Sequence, residues 1–156
     1  ELGLPITNTP GMFGLEVADI ALGYVIALAR ETFAIDSSVR QGEWIKPSGI
    51  SLAGRRVALV GFGDIGRNIA KRLLAADMTV VAYDPFFKAD KSIPSVETAE
   101  WPDRLNEADF LVLACALTPE NCHLVNRDVL EQCRTGIRVV NVARGGLIDE
   151  KALNGA

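Results

Sequence analysis

The stretch RVALVGFGDIGRNIA, residues 56–70, constrains the fold more than any other part of this chain. It opens as a continuous apolar run, the pattern of a strand buried on both faces of a parallel sheet. It then passes through three glycines into a helical pattern, with no polar loop between. Gly61, Gly63 and Gly66 stand in G-x-G-x-x-G spacing. Such glycines are common in loops, but directly between a strand and a helix each acquires a job. Gly61 allows the tight turn, Gly63 lets the backbone come close to a pyrophosphate, and Gly66 permits close helix–strand packing. Ala70, one turn on, is small enough for the same packing. The helix start supplies N–H groups and a positive dipole end to phosphates.

The rest of the chain repeats this alternation. After the first strand come a helix over 65–77, the strand TVVAYD (79–84), and a Pro/Lys/Asp-rich loop. A short helix near 101–108 leads to the strand DFLVLACA (109–116), a helix over 126–134 and the strand IRVVNVA (137–143). The order predicts an α/β fold: a Rossmann-type, doubly wound parallel sheet with helices on both faces. Ahead of it, apolar positions run from Leu15 to Arg30 through several turns, predicting a long and largely buried helix. A second helix is expected within 31–42, then a loop with Trp44 as its anchor. Residues 1–14 read as a connector from a substrate domain, and 15–156 as a nucleotide-binding domain whose last strands lie further along a longer chain.

Asp84 closes the second strand. A carboxylate there accepts hydrogen bonds from adenosine ribose hydroxyls and repels a 2′-phosphate, which points to NAD rather than NADP. Asp64 is less expected, because it places a negative charge inside the phosphate loop; pointing to solvent or capping the helix is its plainest role. The formal net charge of −4 and pI near 5.0 give nucleic-acid binding no electrostatic support. No apolar window reaches the length of a bilayer span. The cysteines, Cys115, Cys122 and Cys133, are odd in number and lack ligand-like spacing. They argue against a metal site or a disulfide framework and fit a reducing, cytoplasmic setting.

The segments NTPGMFGLEVADIALG, VALVGFGDIGRNIA, YDP, LTPENCHLVN and VVNVARGGLIDEKAL occur in one order along the chain. In that order the sequence resembles the D-isomer-specific 2-hydroxyacid dehydrogenases, and the resemblance runs over essentially its whole length. The NVARGG block is the most specific part, since a dinucleotide fold alone does not need it. The resemblance implies a domain that binds NAD, dimerises through that domain and serves a small 2-keto or 2-hydroxy acid substrate. It implies that Arg144 is the catalytic arginine, holding the substrate carboxylate and carbonyl; a guanidinium suits this because its planar fork is bidentate and always charged. It further implies that Asp64 and Ile65 contact the pyrophosphate, that Asp84 binds the ribose, and that Cys115 and Val142 line the cofactor cleft. Family members often carry histidine where Ala114 stands and arginine or asparagine where Asp64 stands. The family's acid/base histidine, its glutamate partner and a nicotinamide-binding aspartate are expected beyond residue 156. His123, in the loop PENCHLVN, is away from that motif and reads as a loop or capping residue. Two other readings share the glycine loop: an NADH-sensing corepressor-type binding protein, and an NAD domain like that of adenosylhomocysteine hydrolase.

Overall fold

Past their first residues, Arg56 and Thr79, three strands alternate between two cores at every position. In β1 (Arg56–Val60), β2 (Thr79–Tyr83) and β4 (Phe110–Leu113), Val57, Leu59, Val80, Ala82, Phe110 and Val112 face one side. Ala58, Val60, Val81, Tyr83, Leu111 and Leu113 face the other. Side chains of a strand alternate with period two, so a sheet covered on both faces needs apolar residues at every position. Each fully buried Val, Leu or Phe contributes about 1.5–3 kcal/mol relative to exposure. That is why the buried positions of these short runs are apolar but for the Tyr83 hydroxyl, which finds a partner. The coordinates are a computed structural model and describe residues 7, 9, 11–87, 92, 93 and 95–155.

The sheet has five parallel strands in the order β3-β2-β1-β4-β5, with β3 at Val96–Thr98 and β5 at Arg138–Asn141. The expected parallel α/β sheet is therefore present. α1 (Gly14–Arg30) and α3 (Asp64–Ala75) cover one face. α4 (Arg127–Gln132) covers the other, where Val129 packs with Leu105 and Leu147. α2 (Thr32–Arg40) follows α1 through Glu31, a left-handed residue at φ 57°. A four-residue α5 (Glu150–Leu153) starts at Asp149, whose carboxylate accepts from the N–H groups of Lys151 and Ala152. Burial pushes the Tyr83 phenol up to about 12, so it stays protonated and donates to the Asp103 carbonyl at 2.6 Å. That bond ties the end of β2 to the loop after β3.

Four expectations are corrected. β3 lies within the stretch read as a loop; three residues at a sheet edge carry too little apolar pattern to stand out. The helix expected near 101–108 is a single 3-10 turn at Leu105–Glu107. α1 is buried along one stripe only, through Ala18, Ala21, Val25 and Ala29, where small residues let it lie close to α3. Away from that stripe Leu15 and Ile26 are exposed on one flank and Ile20 and Tyr24 on the other, so its all-round apolarity does not mean all-round burial. Trp44 is no anchor among the described residues: it is 86% exposed.

Candidate nucleotide and substrate site

Because all five strands are parallel, their carboxyl ends share one edge, and the sheet order reverses between β1 and β4. Open α/β sheets bind ligands in the crevice at such a reversal. The loop after β1 sits there. Gly61 has φ +92° and donates its N–H to the Tyr83 carbonyl at 2.9 Å. A Cβ on it would lie 2.6 Å from the backbone nitrogen of Cys115, so no other residue fits without moving the chain after β4. A Cβ on Gly66 would come within 2.1 Å of the Gly61 carbonyl oxygen. These two glycines answer to the protein itself. Gly63 does not: a Cβ there meets nothing within 4 Å. It caps α3 on an exposed, open side, which is the cradle a pyrophosphate against the helix start requires. The residues present therefore fit a dinucleotide.

Asp84 lies half-buried beside this loop. One carboxylate oxygen accepts from the N–H of Phe62 at 2.7 Å and the other from that of Phe86 at 2.9 Å. Two backbone donors fix the carboxylate, and its remaining lone pairs are available to ribose hydroxyls. Phe62 and Phe87 stack at 4.3 Å between ring centres, with the Arg67 guanidinium near both rings. Phe62 was not singled out from the sequence, although an aromatic in the middle of the glycine loop is the available signal.

Asp64 is the first residue of α3, and its side chain makes no cap bond to the helix. The carboxylate instead leans to the start of α1. The position a Cβ would take on Gly14 is 2.0 Å from Asp64 Oδ2, and Asn68 Nδ2 donates to Oδ1 at 3.3 Å. Asp64 is thus exposed at the mouth of the loop, while Ile65 behind it is half-buried against the core.

Cys115 and Val142 follow β4 and β5 on the same edge, both half-buried. Val142 donates its N–H to the Leu113 carbonyl, extending the ladder by one bond. Desolvation, and then the negative charge of Asp84, push the Cys115 thiol up; desolvation does the same for Cys133. Cys122 is exposed. Since the thiolate is the reactive form, iodoacetamide at neutral pH is expected to modify Cys122 first. Cys115 and Cys133 should lag by about tenfold or more, read by mass spectrometry of tryptic peptides. Cys115 should gain rate only as the pH rises past the ordinary thiol range. Equal rates for Cys115 and Cys122 at neutral pH would contradict its burial.

Arg144 is exposed, in extended backbone just after β5, and its guanidinium donates to the neighbouring Ala143 carbonyl. No carboxylate among the described residues pairs with it. Its loop is held by Asn141, whose Oδ1 accepts from the Ala143 N–H while its Nδ2 donates to the Arg144 carbonyl, both at 2.9 Å. Asn141 escaped the sequence reading. An Asn at a strand end is a turn-forming signal, and here it closes the turn that presents the arginine. Gly145 has open space where a Cβ would be, whereas Gly146 is backed by the Leu117 side chain. His123, in a left-handed conformation at φ 55°, donates its backbone N–H to the Gly146 carbonyl. The fold thus brings His123 beside the arginine loop, through its backbone.

A parallel sheet with a glycine-bearing loop after β1, an acid closing β2 and an exposed arginine after β5 defines a dinucleotide-binding domain of the Rossmann type. Residues 22–156 match the family described as D-isomer specific 2-hydroxyacid dehydrogenase, NAD binding domain, and the chain belongs to that family. It is 39% identical to a hydroxypyruvate reductase of Thermotoga maritima over 155 residues, covering 98% of this chain and 50% of that protein. It is 35% identical to a D-3-phosphoglycerate dehydrogenase of Methanocaldococcus jannaschii, covering 98% of this chain and 30% of that protein. The fold superposes on the apo D-lactate dehydrogenase of Escherichia coli with a TM-score of 0.90 at 31% identity, over 99% of this chain and 50% of the other. The chain thus spans about half or less of the length of these relatives. No described helix is long and apolar enough to cross a membrane.

Proposed function

We propose that this chain is the nucleotide-binding part of a cytoplasmic, NAD-dependent D-2-hydroxyacid dehydrogenase acting on a small 2-keto acid of the hydroxypyruvate, glyoxylate or phosphoglycerate type. The observation that carries the reading is Arg144: a fixed, unpaired positive charge on the same sheet edge as the glycine loop. Bound NADH supplies a hydride. The chain's own contribution is to place and polarise the acceptor. Arg144 grips the carboxylate of the keto acid through its planar fork and draws charge towards the carbonyl oxygen. Gly61, Gly63, Asp64, Ile65 and Gly66 seat the pyrophosphate, Asp84 the ribose, and Cys115 and Val142 the walls of the cleft. Residues 1–156 are expected to bind NADH without turning over a keto acid, read by NADH titration beside an assay of keto-acid-dependent NADH loss. The homologous proteins are named as reductases and dehydrogenases of hydroxy acids, which favours this reading over a corepressor or a hydrolase.

Titration of the protein with NADH and NADPH tests the cofactor assignment. Asp84 should favour NADH, and Asp84→Ala should weaken NADH binding by about tenfold or more, the worth of roughly 1.4 kcal/mol. Equal affinity of the unsubstituted protein for both cofactors, or none for either, would overturn it.

We further propose a homodimer through the outer side of α1. Ile20 and Tyr24 are exposed on one flank of α1, with Phe33 of α2 beside Tyr24 at 6.4 Å between ring centres, and exposed apolar residues gathered in this way mark an interaction surface. Sedimentation equilibrium should give twice the chain mass, and a single glutamate at Tyr24 should shift the protein to monomer.

A further inference from the structure

The opposite edge of the sheet, where the strands begin, carries a concentration of arginine that the nucleotide reading does not use. A cavity of about 250 Å³ opens there, lined by Arg55 before β1, Asp109 before β4, Arg138 at the start of β5, and the preceding turn with Arg134, Thr135 and Gly136. Asp109 is the acid of this cluster. Its side chain is 11% exposed; Oδ1 accepts from Arg55 Nη1 at 3.3 Å and from Arg134 Nη1 at 2.8 Å, and Oδ2 accepts from the Arg56 N–H at 3.1 Å. One carboxylate is therefore shared by two guanidinium groups, each giving it a single terminal nitrogen. Their remaining N–H groups have no partner among the described residues.

Arg138 adds a third guanidinium. It lies over the Phe110 ring at 5.6 Å and donates through Nε to the Leu28 carbonyl at 3.3 Å, which sets its direction. It is half-buried, and no described carboxylate lies within ion-pair distance. Arg30, at the end of α1, donates to the carbonyl of Ile50, another wall residue. Arg56 belongs to a different pair, with Glu107. The three lining arginines thus face one acid, leaving two positive charges uncompensated in a chain whose formal net charge is −4. Arg55 and Arg134 reach solvent, their side chains 36% and 52% exposed, so the half-buried guanidinium that lacks an anion is that of Arg138, and such burial is costly.

We propose that this amino-end cavity is an oxyanion site, separate from the nucleotide cleft at the other sheet edge, that takes a phosphoryl group, free or esterified to a small carbon skeleton. A phosphate monoester carries nearly two negative charges at neutral pH, with tetrahedral oxygens that match arginine forks. The volume lies below the roughly 300–1,000 Å³ of sites for larger ligands, which excludes a dinucleotide. The hydroxyl of Thr135 and the backbone turn at Gly136, φ +79°, sit at the rim as further donors.

The test is a titration of the ¹⁵N-labelled protein, with NADH present, by inorganic phosphate and separately by glycerol 2-phosphate, at ionic strength held constant with chloride. Saturable shifts of the Thr135, Gly136 and Ile137 amides are expected, distinct from any at residues 61–66. Binding by one ligand alone tells free phosphate from ester. Arg138→Gln and, as a more exposed second variant, Arg134→Gln should each weaken phosphate binding by about tenfold or more while NADH affinity stays as it was. Arg40→Gln, which breaks only the Asp36 pair on α2, should change neither. Shifts that rise linearly without saturation, shifts confined to residues 61–66, or full-strength binding in both arginine variants would each overturn the proposal.

Discussion

Gly61→Ala is expected to destabilise the fold by about 3 kcal/mol or more, seen as a large fall in the urea midpoint at unchanged slope. Two costs combine. A non-glycine residue at φ +92° is strained by roughly 1–3 kcal/mol. The new methyl would also press on the backbone of Cys115, at 2.6 Å, where no side chain can rotate away. Gly63→Ala supplies the contrast. Its φ of −71° suits any residue and its Cβ meets open space, so stability should change by less than about 1 kcal/mol. NADH affinity should nonetheless fall by about tenfold, because the methyl stands where the phosphates approach. A strongly destabilised Gly63→Ala, or one with intact NADH affinity, would refute this division of labour.

The second large effect concerns Arg144. On the proposed reading, Arg144→Gln in an active dehydrogenase built on this domain should lower kcat/KM for the keto acid by about 10²–10³-fold, the scale on which one preorganised charge donor acts. NADH binding should be nearly unaffected, since Arg144 is held apart on its own loop by Asn141. Arg144→Lys keeps the charge and loses the fork, so it should recover only part of the rate. A variant within tenfold of the unsubstituted enzyme would remove Arg144 from the reaction.

How much could be read from the residues depended on the scale of the physics involved. β1, β2 and β4 announce themselves because burial on both faces demands uninterrupted apolar sequence. The glycine loop does so because its spacing joins a strand directly to a helix: Gly66 answers to the Gly61 carbonyl right there, between β1 and α3, while Gly61 answers to the backbone after β4. β3 and the 3-10 turn at Leu105–Glu107 are held by neighbours rather than by their own pattern, so the sequence around them looks like loop. Trp44 misled for the opposite reason: its size suggests a buried anchor, yet which surface covers a large apolar residue is not a local property. In the site, Asp84 was legible from its place at a strand end. Of its two backbone donors, Phe86 lies in the same turn, whereas Phe62 was not legible, since that bond depends on how the two turns meet. Asn141 closes a local turn with Ala143 and Arg144, whereas the arginines around Asp109 come together only across strands, between residues far apart along the chain.

The contact between Gly14 and Asp64 makes these two positions epistatic. The acid can stand at the mouth of an anion-binding loop because α1 offers its carboxylate a berth just where a methyl would otherwise be. A side chain at position 14 would evict that charge and alter the potential felt by a phosphate at the start of α3, with every loop residue unchanged. The loop's electrostatics are therefore set partly from another helix. Redesigning Asp64 to tune cofactor affinity means choosing residue 14 at the same time.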